Sequence, residues 1–293
     1  MKIGFIGLGK MGKYMALNML KSGDEFIVND VASDNFPVFE EKGAVCTTDI
    51  KKVAEADIVF LSLPNSEVVQ NVVIGENGLI KYLKKDCIIV DLSTITYETT
   101  IEIANILKKS GIEFIDAPVS GMEAKAEEAT LAVMCGGSQK AFDKIKPYLE
   151  LIGNTILYMG ESGSGQLTKL INQLLFDINV AALSEILPMA VKMGLDSEKV
   201  GQVVNNGTGR SFASEFFIPR NIKRDFTEGY QLKNAYKDLI SAAEISAKFC
   251  IPLPVLHAAT TTYQMALLQG YGDKNKGSMI NVFEKLLDVE YKS

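Results

Sequence analysis

The feature that most constrains the fold of this chain is a glycine-rich turn near its beginning. An apolar run at positions 3–6 leads into Gly7-Leu8-Gly9-Lys10-Met11-Gly12, and a helical pattern follows. In a strand–turn–helix setting, the first glycine makes the tight turn, the second lets the backbone approach a pyrophosphate, and the third lets helix and strand pack closely. The pattern predicts a dinucleotide-binding turn with phosphates on the N–H groups of the helix. The alternative is a set of glycines that only punctuate a strand–helix turn.

An acidic residue follows at the spacing that such a turn requires. Asp30 ends the second predicted strand, about 20 residues after the glycines. Its carboxylate would accept hydrogen bonds from the adenosine ribose and repel a 2′-phosphate, and no arginine occurs between Gly12 and Asp116. We therefore expect NAD rather than NADP, the alternative being that Asp30 only begins a loop.

Composition narrows the class of protein. The chain has 293 residues, enough for two domains, and a net charge of −6 with a pI near 5.1. The chain lacks the excess of positive charge that is typical of a nucleic-acid-binding protein, so a small-molecule ligand is expected. Four scattered cysteines without a CxxC pair, and no credible export signal, predict a cytoplasmic protein. No membrane span is expected, because no run of 18 apolar residues occurs.

The only histidine limits the chemistry that the chain can perform. His257 lies in an apolar helical stretch and is expected in the core or an interface. A histidine-rich metal site is excluded, and no metal is predicted. An acid–base catalyst would then be a lysine, a carboxylate or a tyrosine.

The pattern of predicted secondary structure changes about halfway along the chain. Strand-like runs alternate with helical patterns up to Gly160, which predicts a mostly parallel, doubly wound sheet of the Rossmann type. The predicted strands are 3–6, 25–30, 57–63, 87–91, 112–116, 130–135 and 155–159. A long helical pattern at 166–193 and five shorter ones then predict an all-α region. We expect a cofactor domain over 1–160 and a helical substrate and oligomerisation domain over 161–293, beginning with a long interdomain helix.

A lysine and two amides lie together near the start of this long helix. Lys169, Asn172 and Gln173 are spaced i, i+3 and i+4, so they share one face of it. By spacing alone, a solvated polar face explains them better than a site does.

Four segments together resemble the β-hydroxyacid dehydrogenases, a family that includes 3-hydroxyisobutyrate dehydrogenase and tartronate semialdehyde reductase. They are the glycine turn with Met15 and Asn18, the loop 116–121 (DAPVSG), the stretch 163–173 and the motif 237–239 (KDL). They occur in the family's order and spacing over most of the chain. This combination is far more specific than any one segment.

The resemblance implies a role for individual residues. Lys169 corresponds to the catalytic acid–base, and desolvation on domain closure would lower a lysine pKa toward the working pH. Ser120 and Gly121 would hold the substrate carboxylate, with Asn172 orienting substrate or lysine. Lys237 would contact cofactor or substrate from the helical domain. The residues implied to line the nicotinamide side, at the carboxyl edge of the sheet, are Pro64, Asn65 and Thr94.

The resemblance implies an oxidoreductase, expected as a homodimer or homotetramer, that transfers hydride between nicotinamide and a small 3-hydroxy acid or its semialdehyde, and Asp30 makes NAD the expected cofactor. Met122, Lys125 and Ala129 stand where the family usually has glycine, which leaves the acid open. Arg210 is a weaker candidate for meeting a second acidic group on the substrate.

Two alternatives differ in their chemistry. One is an imine-reductase-type enzyme of the same superfamily, and the other is a non-catalytic dehydrogenase-fold binding module. Both kinds lack the lysine, so Lys169 argues against them. The acidic charge argues further against a nucleic-acid-binding module.

Overall fold

The computed structural model describes all residues from Met1 to Ser293 as two compact units, Met1–Lys169 and Leu170–Ser293. The first unit carries a nine-stranded sheet with helices. The second consists of helices and their connections. The division falls within one long helix, so this helix contributes its first residues to the sheet-containing unit.

The sheet has the strand order of a Rossmann fold. Its strands are β1 (Lys2–Ile6), β2 (Glu25–Asn29), β3 (Val45–Thr47), β4 (Ile58–Leu61), β5 (Ile88–Asp91), β6 (Glu113–Asp116), β7 (Val119–Ser120), β8 (Leu131–Gly136) and β9 (Gly153–Gly160). The parallel part runs β3-β2-β1-β4-β5-β6, and its order reverses beside β1, where Rossmann sheets bind their ligands. The strand β8 pairs antiparallel with β6 and β7, and parallel with β9. The predicted doubly wound, mostly parallel sheet is confirmed.

Alternating side chains of the strands enter two different cores. On β4, Ile58 and Phe60 belong to one cluster, and Val59 and Leu61 to the other. A strand buried on both faces reads as a continuous apolar run, which is why these strands are visible in the sequence. The helices of this unit are α1 (Gly12–Met19), α2 (Phe36–Glu40), α3 (Ile50–Val53), α4 (Ser66–Ile74), α5 (Tyr97–Lys109), α6 (Met122–Glu127) and α7 (Gln139–Leu149).

The second unit is built around a helix of 29 residues, α8 (Ser164–Lys192). The other helices are α9 (Ser197–Asn206), α10 (Phe212–Ile222), α11 (Leu232–Phe249), α12 (Pro254–Leu268) and α13 (Ile280–Leu287). By length and hydropathy α8 could cross a membrane, and 39% of its most apolar window is buried. A core helix of a protein without a membrane passes the same test. The helix also carries Lys169 and Asp177, both buried, which a lipid-facing span disfavours.

A buried ion pair joins three elements of the helical unit. Lys276 lies in a 3-10 turn, and its Nζ is 2.5 Å from Oδ1 of Asp177 on α8, with both side chains inaccessible to solvent. The Tyr263 hydroxyl on α12 donates to the same oxygen at 3.1 Å, and Lys276 Nζ lies 3.7 Å from the ring centroid of Phe176. Burial lowers the pKa of Lys276, and Asp177 opposes this effect. Removing either charge would take from the other a buried partner of opposite charge, which is costly, so the pair helps to fix how these elements pack.

Three features differ from the expectations. The strands β3 and β7 were not predicted, because runs of three and two residues are too short to show a period. His257 is exposed on α12, so a core position is wrong, and an interface position stays a prediction. The buried face of α12 is formed by Leu256, Ala259 and Tyr263, and His257 follows Leu256 by about 100° around the helix.

Candidate active site

The glycine turn lies between β1 and α1, as predicted. At two of its positions, contacts within the protein leave room only for glycine. Gly7 has a φ of +96°, and a Cβ there would lie 2.2 Å from the carbonyl oxygen of Ser62. A Cβ on Gly12 would lie 1.9 Å from the carbonyl oxygen of Gly7. The tight turn and the close helix–strand contact therefore exclude any side chain at these two positions.

Gly9 behaves differently, and this difference points to a ligand. A Cβ on Gly9 would meet no protein atom within 4 Å. The fold thus leaves open space beside the backbone where a pyrophosphate would approach. The helix α1 has no side-chain N-cap and no acidic residue in its first turn, so its own first N–H groups are left for an anion. These residues fit a dinucleotide, which Gly7, Gly9, Gly12 and the start of α1 would hold.

The structure brings Asp30 to the glycine turn. One carboxylate oxygen of Asp30 accepts the backbone N–H of Leu8 at 2.6 Å, and the other accepts that of Ala32 at 3.0 Å. Asn35 donates from the same side to the Leu8 carbonyl at 2.9 Å. Asp30 therefore places a negative charge beside the turn and also holds the turn in place.

The residues expected on the nicotinamide side follow neighbouring strands. Pro64 and Asn65 come after β4, Thr94 comes after β5, and all three are exposed. The Asn65 side chain accepts the N–H of Val68 at 3.0 Å and so begins α4. The two loops are joined where Ser93 Oγ accepts the N–H of Leu63 at 2.8 Å. The carboxyl edge thus collects these residues on one rigid rim of the sheet.

The loop expected to bind the substrate carboxylate is strained as well as tight. Ser120 is half-buried on β7, and Gly121 has a φ of +149° with Lys125 close beside it. Met122 and Ala129 have φ values of +64° and +58°, in the left-handed region that glycine favours. The backbone therefore keeps a glycine-like conformation at two of the three positions where this chain departs from the family's glycines.

Lys169 lies in the second turn of α8 and is only 8% exposed. The first turn of α8 is anchored by Asp116, which ends β6 and is inaccessible to solvent. Its two oxygens accept the N–H groups of Gly163 at 2.7 Å and Gln166 at 2.9 Å. The Gln166 side chain donates to the Ser93 carbonyl at 2.7 Å and accepts from the Ile95 N–H at 3.3 Å. Residues from β5, β6 and α8 are thereby joined next to Lys169.

Sequence reasoning missed Asp116 and Gln166. Asp116 was noted only as part of the DAPVSG loop, and Gln166 only as the start of a helical pattern. The sequence feature that could have indicated them is Gly163 directly before a helix, because a glycine has no side chain with which to cap the helix. Such a helix start leaves its first N–H groups to an acceptor from elsewhere in the chain, to water or to a ligand.

Two buried carboxyl groups lie side by side at the carboxyl edge. Asp91 on β5 and Asp116 on β6 are partners in the strand register. Burial raises the pKa of each to about 7, with backbone N–H groups opposing the shift at Asp116. Asp91 accepts from the Ser93 N–H at 3.0 Å, but its second oxygen is buried without a hydrogen-bond partner. Of the two carboxyl groups, Asp91 is therefore the one that is more readily protonated, and Asp116 is the one that more readily carries a negative charge.

Three other candidate residues belong to the helical unit. Asn172 is exposed one turn after Lys169, and Lys237 is exposed on α11. Arg210 is exposed and pairs with Glu215 at 2.5 Å, which gives its suggested contact with substrate no support.

Asn18 is buried and donates to the Ala126 carbonyl at 2.9 Å, so its role is to join α1 and α6.

Comparisons with known proteins identify the family of the chain. Residues 2–160 match the model of the NAD-binding domain of 6-phosphogluconate dehydrogenase, and residues 163–283 match that of the NAD-binding domain of NADP-dependent 3-hydroxyisobutyrate dehydrogenase. The chain is 37% identical to 2-(hydroxymethyl)glutarate dehydrogenase of Eubacterium barkeri, covering 98% of this chain and 96% of that protein. It is 35% identical to 2-hydroxy-3-oxopropionate reductase of Escherichia coli, covering 97% of each.

A solved structure extends the similarity to three dimensions. The 3-hydroxyisobutyrate dehydrogenase of Mycobacterium tuberculosis, solved with L-serine, superposes with a TM-score of 0.85 at 27% identity. The match covers 96% of this chain and 98% of that one. With its Rossmann domain, its helical domain and these relatives, the chain belongs to the β-hydroxyacid dehydrogenase family of NAD(P)-dependent oxidoreductases.

Proposed function

We propose that this protein transfers hydride between NAD and a small 3-hydroxy acid or its semialdehyde, with Lys169 as the general acid–base. The observation that carries the proposal is a nearly buried lysine in the second turn of α8, in the compact unit that also holds the glycine turn. A bound nicotinamide would supply the hydride acceptor or donor. The protein supplies the proton chemistry and the orientation of the substrate.

The proposed proton transfer at Lys169 works in both directions. In oxidation, the neutral amine of Lys169 accepts the proton of the substrate hydroxyl as the hydride leaves. In reduction, its ammonium group donates a proton to the developing alkoxide oxygen. The low exposure of Lys169 supports this role, because a group that exchanges protons with substrate works best where water is excluded.

The substrate is proposed to be a carboxylate whose α-carbon carries a hydroxymethyl group or the corresponding aldehyde. The names 2-(hydroxymethyl)glutarate dehydrogenase and 2-hydroxy-3-oxopropionate reductase both describe this pattern. The Ser120 hydroxyl and the Gly121 N–H would hold the carboxylate, and Asn172 and Lys237 would contact substrate or cofactor from the helical domain. Met122 stands next to Gly121 and is the residue that we expect to tune which acid is accepted.

The preference for NAD over NADP is proposed from Asp30. Its carboxylate lies at the glycine turn, bonded to the Leu8 N–H, where a 2′-phosphate would meet a negative charge. Leu8, Lys10 and Met11 complete the turn, and Pro64, Asn65 and Thr94 are proposed contacts on the nicotinamide side. The chain has no arginine before Arg210 that could neutralise a 2′-phosphate in this domain.

The remaining proposals concern the whole protein. We keep 1–160 as the cofactor domain and 161–293 as the substrate and oligomerisation domain. A cytoplasmic location is supported by four cysteines that form no disulfide. Assembly into a homodimer or homotetramer, without a nucleic-acid or membrane partner, is supported by the acidic charge and by the exposed face of α8 considered below.

A substrate panel tests the proposed reaction. The purified protein is assayed with NAD and NADP against 2-(hydroxymethyl)glutarate, 3-hydroxyisobutyrate, glycerate and L-serine, and in reverse against the semialdehydes. We expect turnover with at least one 3-hydroxy acid and a higher kcat/KM with NAD. A 2-hydroxy acid such as lactate is the matched control, because its hydroxyl is one carbon closer to the carboxylate. Turnover of lactate alone, or of no acid, would contradict the proposal.

A further inference from the structure

The start of α8 is capped by a residue from a distant part of the chain. Gly163 is the N-cap position, since its carbonyl accepts the Leu167 N–H at 2.9 Å, but a glycine has no side chain to satisfy the free amides. Asp116, 47 residues earlier, takes this role and accepts the N–H groups of Gly163 and Gln166. A carboxylate at this end of a helix is also favoured by the helix dipole.

The contact between α8 and the sheet is close as well as charged. A Cβ on Gly165 would lie 2.3 Å from the Met134 carbonyl oxygen and 2.8 Å from Oδ2 of Asp116. A Cβ on Gly163 would lie 2.5 Å from the ring of Tyr97. The first turn of α8 therefore packs directly against β8, the end of β6 and the start of α5, and any larger residue would push it away.

Gln166 provides a second, independent anchor. Its buried side chain bonds to the Ser93 carbonyl and the Ile95 N–H, which flank Thr94 on the rim proposed for nicotinamide. The helix start is thus fixed to both β5 and β6. Lys169 follows Gln166 by three residues, less than one helical turn.

We propose that Asp116 and Gln166 are positioning residues that set the place of Lys169 relative to the carboxyl edge of the sheet. Neither side chain is proposed to touch the substrate. They act through the backbone of α8, whose first turn they fix at three sites: Ser93, Ile95 and the end of β6. The anchoring of α8 by Asp116 and Gln166 does not depend on the proposed function. Only the expected effect of this anchoring on catalysis rests on it.

The variant Asp116→Asn tests the cap. Whichever way its amide is turned, an NH2 group replaces one oxygen and faces a backbone N–H, so one hydrogen bond and the charge are lost. In the protein without cofactor, hydrogen exchange of the 163–169 amides is expected to be about tenfold faster, because the helix start opens more often. Acetylation of Lys169 by acetic anhydride, measured by mass spectrometry against exposed Lys140, is expected to change by at least about threefold.

Asp91→Asn is the matched control. It makes the same change at the paired, equally buried position of the neighbouring strand, but Asp91 accepts its hydrogen bond from the Ser93 N–H and not from an amide of α8. Exchange at 163–169 and labelling of Lys169 are expected to stay at wild-type rates in this variant. If Asp116→Asn does not fold, Gln166→Met serves instead, with faster exchange at Ile95 and changed labelling of Lys169. Wild-type exchange and labelling in the Asp116 or Gln166 variant would overturn the proposal.

Kinetics separate a positioning role from general destabilisation. We expect Asp116→Asn to lower kcat by about tenfold, with the cofactor Kd and the substrate KM within about twofold of the wild type. A wild-type kcat would overturn the positioning role. Absence of turnover in the wild-type protein would instead contradict the proposed function, and the exchange and labelling results would still decide whether Asp116 and Gln166 hold the helix.

Discussion

At the scale of single residues, Asp30 combines two tasks that one substitution can separate. Its carboxylate holds the glycine turn through the Leu8 N–H, and its charge is the proposed barrier to NADP. Asp30→Asn keeps an oxygen for Leu8 but removes the charge. We expect the ratio of kcat/KM for NAD over NADP to fall about tenfold, the factor that 1.4 kcal/mol represents. Steady-state kinetics with both cofactors measure this ratio, and an unchanged ratio would remove Asp30 from cofactor selection.

The buried pair Asp91 and Asp116 makes a residue-scale prediction about pH. Each pKa is raised from 3.8 to about 7, so between these values the folded protein binds more protons than the unfolded chain. Stability from this pair must then fall as pH rises from about 4 to 7, by at most about 1.4 kcal/mol per pH unit for each proton. Cys135 also interacts with Asp116, but burial raises the pKa of this thiol to about 12, so it stays neutral in this range.

Asp91→Asn should remove part of this dependence. Measured by urea unfolding, its stability relative to wild type is expected to increase from pH 4 to pH 7. Asp24→Asn is the contrasting control, because hydrogen bonds from the chain's N-terminal amine and Tyr148 lower the pKa of Asp24. Its wild-type carboxylate stabilises the fold above its unfolded pKa, so the relative stability of this variant is expected to fall as pH rises toward about 4 and to stay nearly level from about pH 5 to 7. Parallel wild-type and Asp91→Asn curves would mean that Asp91 titrates normally.

At the scale of elements, α6 ends in a motif that usually requires glycine. Thr130 donates to the Lys125 carbonyl at 2.9 Å across a left-handed residue, which is the geometry of a Schellman cap. That residue is Ala129, and a non-glycine residue in this conformation costs about 1–2 kcal/mol. Met122, which begins α6, is in the same region.

Ala129→Gly is therefore expected to stabilise the protein. The relief of backbone strain exceeds the added entropy of the unfolded chain, so the melting temperature should rise by a few degrees, about 1 kcal/mol. Ala124→Gly within α6 is the matched control and should lower stability by about 0.5–1 kcal/mol. Thermal unfolding followed by circular dichroism compares them. Equal destabilisation by both substitutions would show that Ala129 is not strained.

The elements also show what sequence can and cannot foresee. The long buried strands and the amphipathic helices have clear periods, and the glycine turn was placed correctly because Gly7 and Gly12 are fixed by local backbone geometry. The cap of α8 by Asp116 could not be derived, because it joins positions far apart in the chain through one side chain. Similarly, nothing in the sequence around Lys276 distinguishes it from an exposed lysine. Its burial is explained only by the packing of Asp177 and Tyr263 around it.

At the scale of the whole molecule, α8 leaves an apolar stripe exposed. Four residues of α8 and Met193 directly after its end, each more than half exposed, fall within about 60° of one another around the helix axis. They are Ile171, Leu175, Ile186, Met189 and Met193. Such a stripe on a helix of this length marks an interaction surface, and we propose that a second copy of the chain covers it.

Self-association through this stripe can be tested by one substitution on it. Ile186→Glu is expected to shift the protein from dimer or tetramer to monomer in sedimentation velocity, because a charge would be buried at the contact. Val255→Glu makes the same change at an exposed position of α12 and should leave the assembly unchanged. A monomeric wild-type protein, or its flotation with liposomes, would contradict the proposed assembly.

Single-turnover hydride transfer in Lys169→Met shows whether Lys169 is the general acid–base. With the best acid from the panel and NAD, the absorbance of the reduced nicotinamide reports the chemical step. We expect the rate to fall by about 10²- to 10⁴-fold, the contribution of a general acid–base, while the cofactor Kd stays within about twofold. Lys140→Met, at an exposed lysine of α7, should keep the wild-type rate. A wild-type rate in Lys169→Met would contradict the account.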